Sequence, residues 1–203
     1  MTEPLSAEEA ELALSPHLQK IGGCIDRGWR RWLTLLKQDS ELAIVISARS
    51  RANLVYDFIR HEAVNAFDDC EDVTVGDSRG FLLLTFEEKI VLRFKKFRDR
   101  KLRTSGISTQ QRHEFSNQVL PGMEALTHLV AGYLPDKEGL GLERMAITCS
   151  LDDDRLWVLE LDLGLGEIGV TAPVAPMPFT PQRDTIVRSK QREVPGQTGT
   201  EER

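Results

Sequence analysis

The chain has 203 residues, of which 40% are hydrophobic and 29% charged, and its formal net charge is -6 at pH 7. This size and balance predict one soluble globular domain with appendages, and the acidic total argues against a general nucleic-acid coat protein, though not against one local contact. Three isolated cysteines and the lack of a secretory signal or a membrane-length apolar run exclude a disulfide framework, a zinc ribbon and a membrane span, and favour a cytoplasmic location.

Two helices are predicted in an N-terminal helical segment, residues 1–46. Ser6 and Glu9 form a capping-box pattern, which predicts a first short helix. Ser15-Pro16 then favours the start of a longer helix, because proline is tolerated at the first helical position. The apolar residues of this longer helix recur at three- and four-residue steps and form one stripe: Leu18, Ile21, Ile25, Trp29, Trp32 and Leu36.

A core domain is predicted for residues 47–170. Ser47 caps a helix over 48–67, after which the apolar pattern changes to the alternation of strands. Strands are predicted at 73–75, 81–86, 89–97, 127–133, 143–149 and 155–161, with one helix at about 109–118. Because strands joined by short turns pair antiparallel, we expect an α+β fold: a mainly antiparallel sheet of about five to six strands with the N-terminal helices packed on it. The Pro-rich residues 171–203 are predicted to form a disordered, flexible tail.

A run of cations stands out within this acidic chain. Residues 93–103, which we call the basic segment, contain seven cations and one carboxylate. Strand alternation places Arg93 and Lys95 on the same face of the strand 89–97. Local potential steers a ligand more than net charge does. We therefore predict an anion-binding or nucleic-acid-binding site formed by Arg93, Lys95, Lys96, Arg98, Arg100, Lys101 and Arg103. The alternative is a solvated sheet face, or a sheet edge that cations guard against aggregation.

Glu62 is the second candidate residue. At about 100° per residue it falls inside the apolar stripe of the helix 48–67. A buried carboxylate is costly unless it is paired. We therefore predict a buried ion pair between Glu62 and a cation of the sheet, either Arg93 or Lys95.

A catalytic alternative rests on the same three residues. A helix glutamate followed by strands and then a helix resembles the core order of restriction-endonuclease-like nucleases, which hold Mg²⁺ through a helix Glu, a strand-end Asp and an acid-x-Lys motif. Here the last motif reads Arg93-Phe94-Lys95, so an arginine replaces the metal-binding carboxylate. Such a nuclease would be degenerate. We predict no catalytic residue, metal site or cofactor, and we expect a binding protein rather than an enzyme.

Five segments resemble a bacterial protein family that has no assigned activity: SRANLVYDFI (50–59), VLRFKKF (91–97), STQQ (108–111), THLVAGY (127–133) and LWVLEL (156–161). Members of that family are encoded in mobile-element or defence-type operons, beside a helix-turn-helix regulator that is fused to or paired with a zinc peptidase. The resemblance implies an accessory protein of a toxin–antitoxin or phage-defence type module. We expect it to contact another protein of the same operon, such as that regulator, through the basic segment, with DNA or RNA as a further candidate for the same face.

Overall fold

The structure, a computed structural model, describes residues 3–104, 109–151 and 154–162. These residues belong to one compact unit, Met1–Gly166. The helices within these ranges are α1 (Ala7–Leu14), α2 (Leu18–Gln38), α3 (Leu42–Val45), α4 (Ala48–Phe67) and α5 (Gln110–Ser116). The strands are β1 (Val73–Ser78), β2 (Phe81–Phe86), β3 (Ile90–Lys96), β4 (Thr127–Pro135), β5 (Leu142–Leu151) and β6 (Asp154–Leu161).

The described strands form one six-stranded sheet in the order β1-β2-β3-β4-β5-β6. All neighbours pair antiparallel except β3 and β4, which run parallel with Ile90 opposite Thr127 and Lys96 opposite Tyr133. A parallel pair needs a long connection that returns to the starting end of the sheet. Here that connection contains the end of the basic segment and α5. The predicted α+β fold with a mainly antiparallel sheet is confirmed, although the parallel pair was not predicted.

The two faces of β3 are buried beneath different elements. Ile90 and Leu92 belong to the main core, which they share with buried residues of α1, α2 and α4. Val91 belongs instead to a second cluster with Phe115 of α5. By alternation, Arg93 lies on the Val91 face. The sheet therefore separates α4 from the cations of this face.

Most predicted helices and strands agree with the structure to within a few residues. Ser6 and Glu9 form the expected capping box, and the Ser47 side chain caps α4. The start of α2 was predicted too early, because that helix begins at Leu18 rather than at the Ser15-Pro16 pair. The N-terminal segment 1–46 contributes α1 and α2 to the main core. The predicted tail, 171–203, lies outside the described residues.

Helices α2 and α4 cross closely at Gly28. A Cβ built on Gly28 would lie 2.5 Å from Cγ1 and 2.9 Å from the backbone nitrogen of Ile59. Backbone atoms cannot move aside as the end of a flexible side chain can, so this crossing requires glycine. The requirement outweighs the loss of about 1 kcal/mol that glycine causes in a helix interior relative to alanine. Gly28 thereby sets the distance between the two helices that cover the sheet.

We expect Gly28→Ala to lower the free energy of unfolding by about 1–3 kcal/mol, because the added methyl group forces α2 and α4 apart. Gly22→Ala is the matched control, since its Cβ would meet no atom closer than 3.8 Å. That control should gain up to about 1 kcal/mol from helix propensity. Urea denaturation of the three proteins measures both effects. A Gly28→Ala protein as stable as the wild type would contradict the close crossing.

Candidate anion-binding site

The second half of the basic segment is a closed loop. The Arg98 backbone N–H donates to the carbonyl of Arg103 at 2.7 Å. Leu102 is buried although its φ is 55°, in a region that costs a leucine about 1 kcal/mol or more. Phe97 anchors the start of the loop against Gly132, where a Cβ would lie 2.4 Å from the phenyl ring. The loop therefore holds its cations in defined positions.

Three arginines of the loop pair with carboxylates at the surface. Arg103 Nη2 lies 2.7 Å from Asp99 Oδ2, and Arg98 Nε lies 3.8 Å from the same oxygen. Arg100 pairs with Glu143 of β5. All three arginine side chains are more than half exposed, so each pair contributes at most about 1 kcal/mol to stability. These pairs chiefly organise the loop.

The two lysines of β3 lie on opposite faces of the sheet. Lys95 Nζ lies 4.0 Å from the centroid of the Phe81 ring. Burial lowers the pKa of Lys95 to about 8, and the charge of Arg93 acts in the same direction. Burial also lowers the pKa of Lys96, with a further contribution from Arg51. The predicted cations therefore do not form one continuous surface.

Arg93 is the most deeply buried of the predicted cations, with 7% of its surface exposed. Its Cζ lies 3.7 Å from the centroid of the Phe115 ring, and its buried Nε has no hydrogen-bond partner. Among the described residues, no carboxylate forms a salt bridge with it. Burial lowers the pKa of Arg93, and together with the charge of Arg112 it brings that pKa to about 10. Because the guanidinium stays protonated at neutral pH, Arg93 is a buried cation for which the described residues supply no paired carboxylate.

Arg93 lines a cavity of about 300 Å³ bounded by the loop, α5 and strands β3 to β6. We call it the arginine cavity. Its wall contains five guanidinium groups and four hydroxyl groups, and no acidic side chain among the described residues: Arg93, Arg98, Arg103, Arg112 and Arg155, with Thr104, Ser116, Thr148 and Ser150. Convergent guanidinium and hydroxyl donors suit an anion with several oxygen atoms.

Arg155 of β6 ties the loop to the sheet. Its guanidinium donates hydrogen bonds to the backbone carbonyls of Lys101 and Leu102. The side chain of Lys101 is exposed, so this predicted site residue contributes mainly its carbonyl to the local structure. The Nε of Arg155 is buried without a partner, like that of Arg93.

Helix α5 is positioned over the cavity by contacts of its last turn. Thr109 caps its N-terminus. Near the other end, Glu114 pairs with Arg79 of the β1–β2 turn at 3.0 Å, and the next residue, Phe115, packs on the ring of His128 with centroids 4.9 Å apart. Burial lowers the pKa of His128, which favours the neutral ring despite two nearby carbonyl acceptors. These contacts keep Phe115 beneath the guanidinium of Arg93.

Sequence reasoning missed the part of the cavity that lies outside the basic segment. Arg112, His128, Thr148 and Arg155 are separated by long stretches of chain and belong to four different elements. Two of these residues, Arg112 and Arg155, are cations that lie in the predicted helix 109–118 and the predicted strand 155–161. Their charge is the only local signal of a site. Their convergence follows from the parallel pairing of β3 with β4, for which the sequence has no local pattern.

The predicted partner of Glu62 is wrong. Glu62 Oε2 lies 2.7 Å from Arg27 Nε, and its Oε1 lies 3.5 Å from Arg31 Nη1, both on α2. The carboxylate is paired and its side chain is only 18% exposed, but no salt bridge joins it to Arg93 or Lys95. The reason is that α4 packs on the opposite face of β3 from those two cations.

The separation of Glu62 from Arg93 and Lys95 also argues against the nuclease alternative, which needs these three residues in one site. Glu62 and the Arg93-Phe94-Lys95 motif cannot act on one metal ion from opposite faces of the sheet. In the part of the chain that the structure describes, no group of three or more His, Cys, Asp or Glu residues could hold a metal ion. The residues proposed for that alternative therefore do not form a site.

Comparison with known proteins identifies no relative: no protein-family model, curated protein or solved structure matches the chain. Within the described ranges, no helix combines the length and the apolar composition that a membrane span requires. The geometry of the arginine cavity is therefore the basis on which we assign a function.

We expect a double-mutant cycle between Glu62→Gln and Arg27→Gln to give a coupling of about 0.5–1 kcal/mol, because Arg27 is half exposed and solvent weakens the pair. The cycle between Glu62→Gln and Arg93→Gln should be additive within about 0.5 kcal/mol, since the sheet separates these side chains. Urea denaturation measures all the free energies. A larger coupling energy of Glu62 with Arg93 than with Arg27 would contradict the observed pair and support the pairing predicted from the sequence.

We expect Arg93→Met to raise the free energy of unfolding by about 1 kcal/mol or more in buffer without phosphate or sulfate. The reason is that an apolar side chain of similar length replaces an uncompensated buried charge, although the lost contact with Phe115 offsets part of the gain. Arg30→Met on α2 is the control, because Arg30 is exposed and paired with Asp26. It should change stability by no more than about 1 kcal/mol. A clear loss of stability in Arg93→Met would show that Arg93 is compensated after all.

Proposed function

We propose that this protein is a non-enzymatic binding protein that receives a phosphate group of a nucleic acid in the arginine cavity. The resemblance adds the proposed setting, a cytoplasmic accessory role in a toxin–antitoxin or phage-defence type module with a partner protein of the same operon. The observation that carries the proposal is the buried guanidinium of Arg93, which has no carboxylate partner among the described residues.

The buried position of Arg93 favours an anionic ligand on energetic grounds. Burying a charge without a partner costs several kcal/mol of folding free energy. An anion in the cavity supplies the missing counter-charge where the low dielectric strengthens the attraction. A group that destabilises the empty protein and stabilises the filled one is typical of a binding site.

The donors of the cavity suit phosphate better than carboxylate. Guanidinium groups bind phosphate oxygens in a bidentate manner, and the tetrahedral phosphate can accept hydrogen bonds from several directions at once. Arg98 and Arg103 are 55% and 59% exposed at the edge of the cavity. They can contact neighbouring phosphates of the same nucleic-acid strand while Arg93 contacts the phosphate inside the cavity. This arrangement of one deep and two exposed cations supports a nucleic acid as the carrier of the phosphate.

Binding of single-stranded DNA and RNA oligonucleotides with a terminal phosphate, followed by fluorescence anisotropy at several salt concentrations, tests the proposal. We expect binding that weakens with salt, and a loss of about tenfold or more in affinity for Arg93→Met, because a charged hydrogen bond to phosphate is lost. Arg103→Gln should reduce the salt slope by about 0.7, the value for one phosphate contact on a single strand.

Arg30→Gln is the matched control, because Arg30 has nearly the same exposure as Arg103 but lies on α2, across the sheet from the cavity. It should leave both affinity and salt slope unchanged. The proposal is wrong if neither DNA nor RNA binds at low salt, or if Arg93→Met binds as tightly as the wild type.

A further inference from the structure

The depth of Arg93 has a consequence for the kind of phosphate that the cavity accepts, if the proposed nucleic-acid binding is correct. We infer that the arginine cavity binds a terminal phosphate, the phosphomonoester at the end of a strand, rather than an internal phosphodiester. Arg93 is 7% exposed and stacks on the ring of Phe115, so a ligand oxygen must enter the cavity to reach it.

The size of the cavity limits what can enter together with the phosphate. An internal phosphodiester has a nucleoside on each side, and both would have to follow it inward. The cavity volume of about 300 Å³ is at the lower end of the range for small-molecule sites. A terminal phosphate is substituted on one side only and projects from the strand end. It can therefore reach Arg93 while the rest of the strand stays at the edge with Arg98 and Arg103.

The charges in the cavity favour the same group. Neither Arg93 nor Arg155 forms a salt bridge with a carboxylate in the described ranges, and the hydrogen bonds of Arg155 are to two uncharged backbone carbonyls. A phosphomonoester carries a charge of roughly -1.5 to -2 at pH 7, whereas each phosphodiester carries a single negative charge. The terminal group therefore matches two guanidinium groups that form no salt bridge with a carboxylate of the described residues.

The number of oxygen atoms gives a second chemical distinction. A phosphomonoester has three terminal oxygens as hydrogen-bond acceptors, one more than a phosphodiester. Beside the guanidinium groups, Ser116 of α5 and Thr148 and Ser150 of β5 line the cavity with hydroxyl groups. The Ser116 and Ser150 hydroxyls can donate to an oxygen that Arg93 and Arg155 do not reach, whereas the Thr148 hydroxyl already donates to the carbonyl of Val130.

A comparison of strand ends tests the inference. One single-stranded oligonucleotide is prepared with a 5′-phosphate, with a 3′-phosphate and with hydroxyl groups at both ends, and an internal fluorophore reports binding to the full chain. A mononucleotide and inorganic phosphate are included as competitors. We expect one phosphorylated end to bind about tenfold or more tightly than the hydroxyl form, because the additional charge forms charge-assisted hydrogen bonds. This preference should disappear in Arg93→Met and remain in Arg30→Gln.

Each outcome separates the inference from the proposed function. Equal binding of all three oligonucleotides, with a common dependence on Arg93, overturns the terminal-phosphate inference and leaves nucleic-acid binding intact. Failure of every oligonucleotide to bind overturns both. A mononucleotide that binds more tightly than either phosphorylated strand supports the phosphomonoester and overturns the nucleic-acid carrier. Arg93→Lys provides a second variant, which should keep part of the preference because it retains the charge but loses the bidentate geometry.

Discussion

The buried charge of Arg93 is the constraint on which the proposed binding site depends. A guanidinium 7% exposed, without a carboxylate partner among the described residues, is costly to fold. The fold can bear this cost because β3 is an interior strand whose other face packs into the main core. One face of the strand thus stabilises the protein, and the other holds a group that a ligand can stabilise. Such local conflicts with folding are typical of binding sites.

The parallel pairing of β3 with β4 explains why Arg93 lies in a cavity. It requires the chain to cross from the end of β3 to the start of β4. This crossing brings the loop of the basic segment and α5 over the face of Arg93. Phe97 against Gly132 fixes the loop at one end, and Arg155 holds it through two backbone carbonyls. A loop fixed at these points holds its cations at defined distances. Such preorganisation lowers the entropic cost of binding an anion.

Local patterns in the sequence predict much of the fold but only part of the site. Strand alternation correctly placed Arg93 and Lys95 on one face, because its period of two depends only on the strand itself. It could not show which face α4 covers, because both faces of β3 carry apolar residues. For that reason Glu62 was paired with the sheet rather than with Arg27. The contributions of Arg112 and Arg155 depend on long-range topology, which no local period contains.

The Nε–H resonance of Arg93 in a ¹⁵N–¹H NMR spectrum, followed during titration with inorganic phosphate, tests most directly that this buried cation receives an anion. The resonance can be assigned by its absence in Arg93→Met. We predict a large shift of this signal and slower exchange of its proton with water, because the unpartnered Nε–H gains an acceptor. The paired Nε–H of Arg27 should stay unchanged. An unmoved Arg93 signal, at phosphate concentrations that shift exposed arginines, would show that Arg93 does not receive an anion.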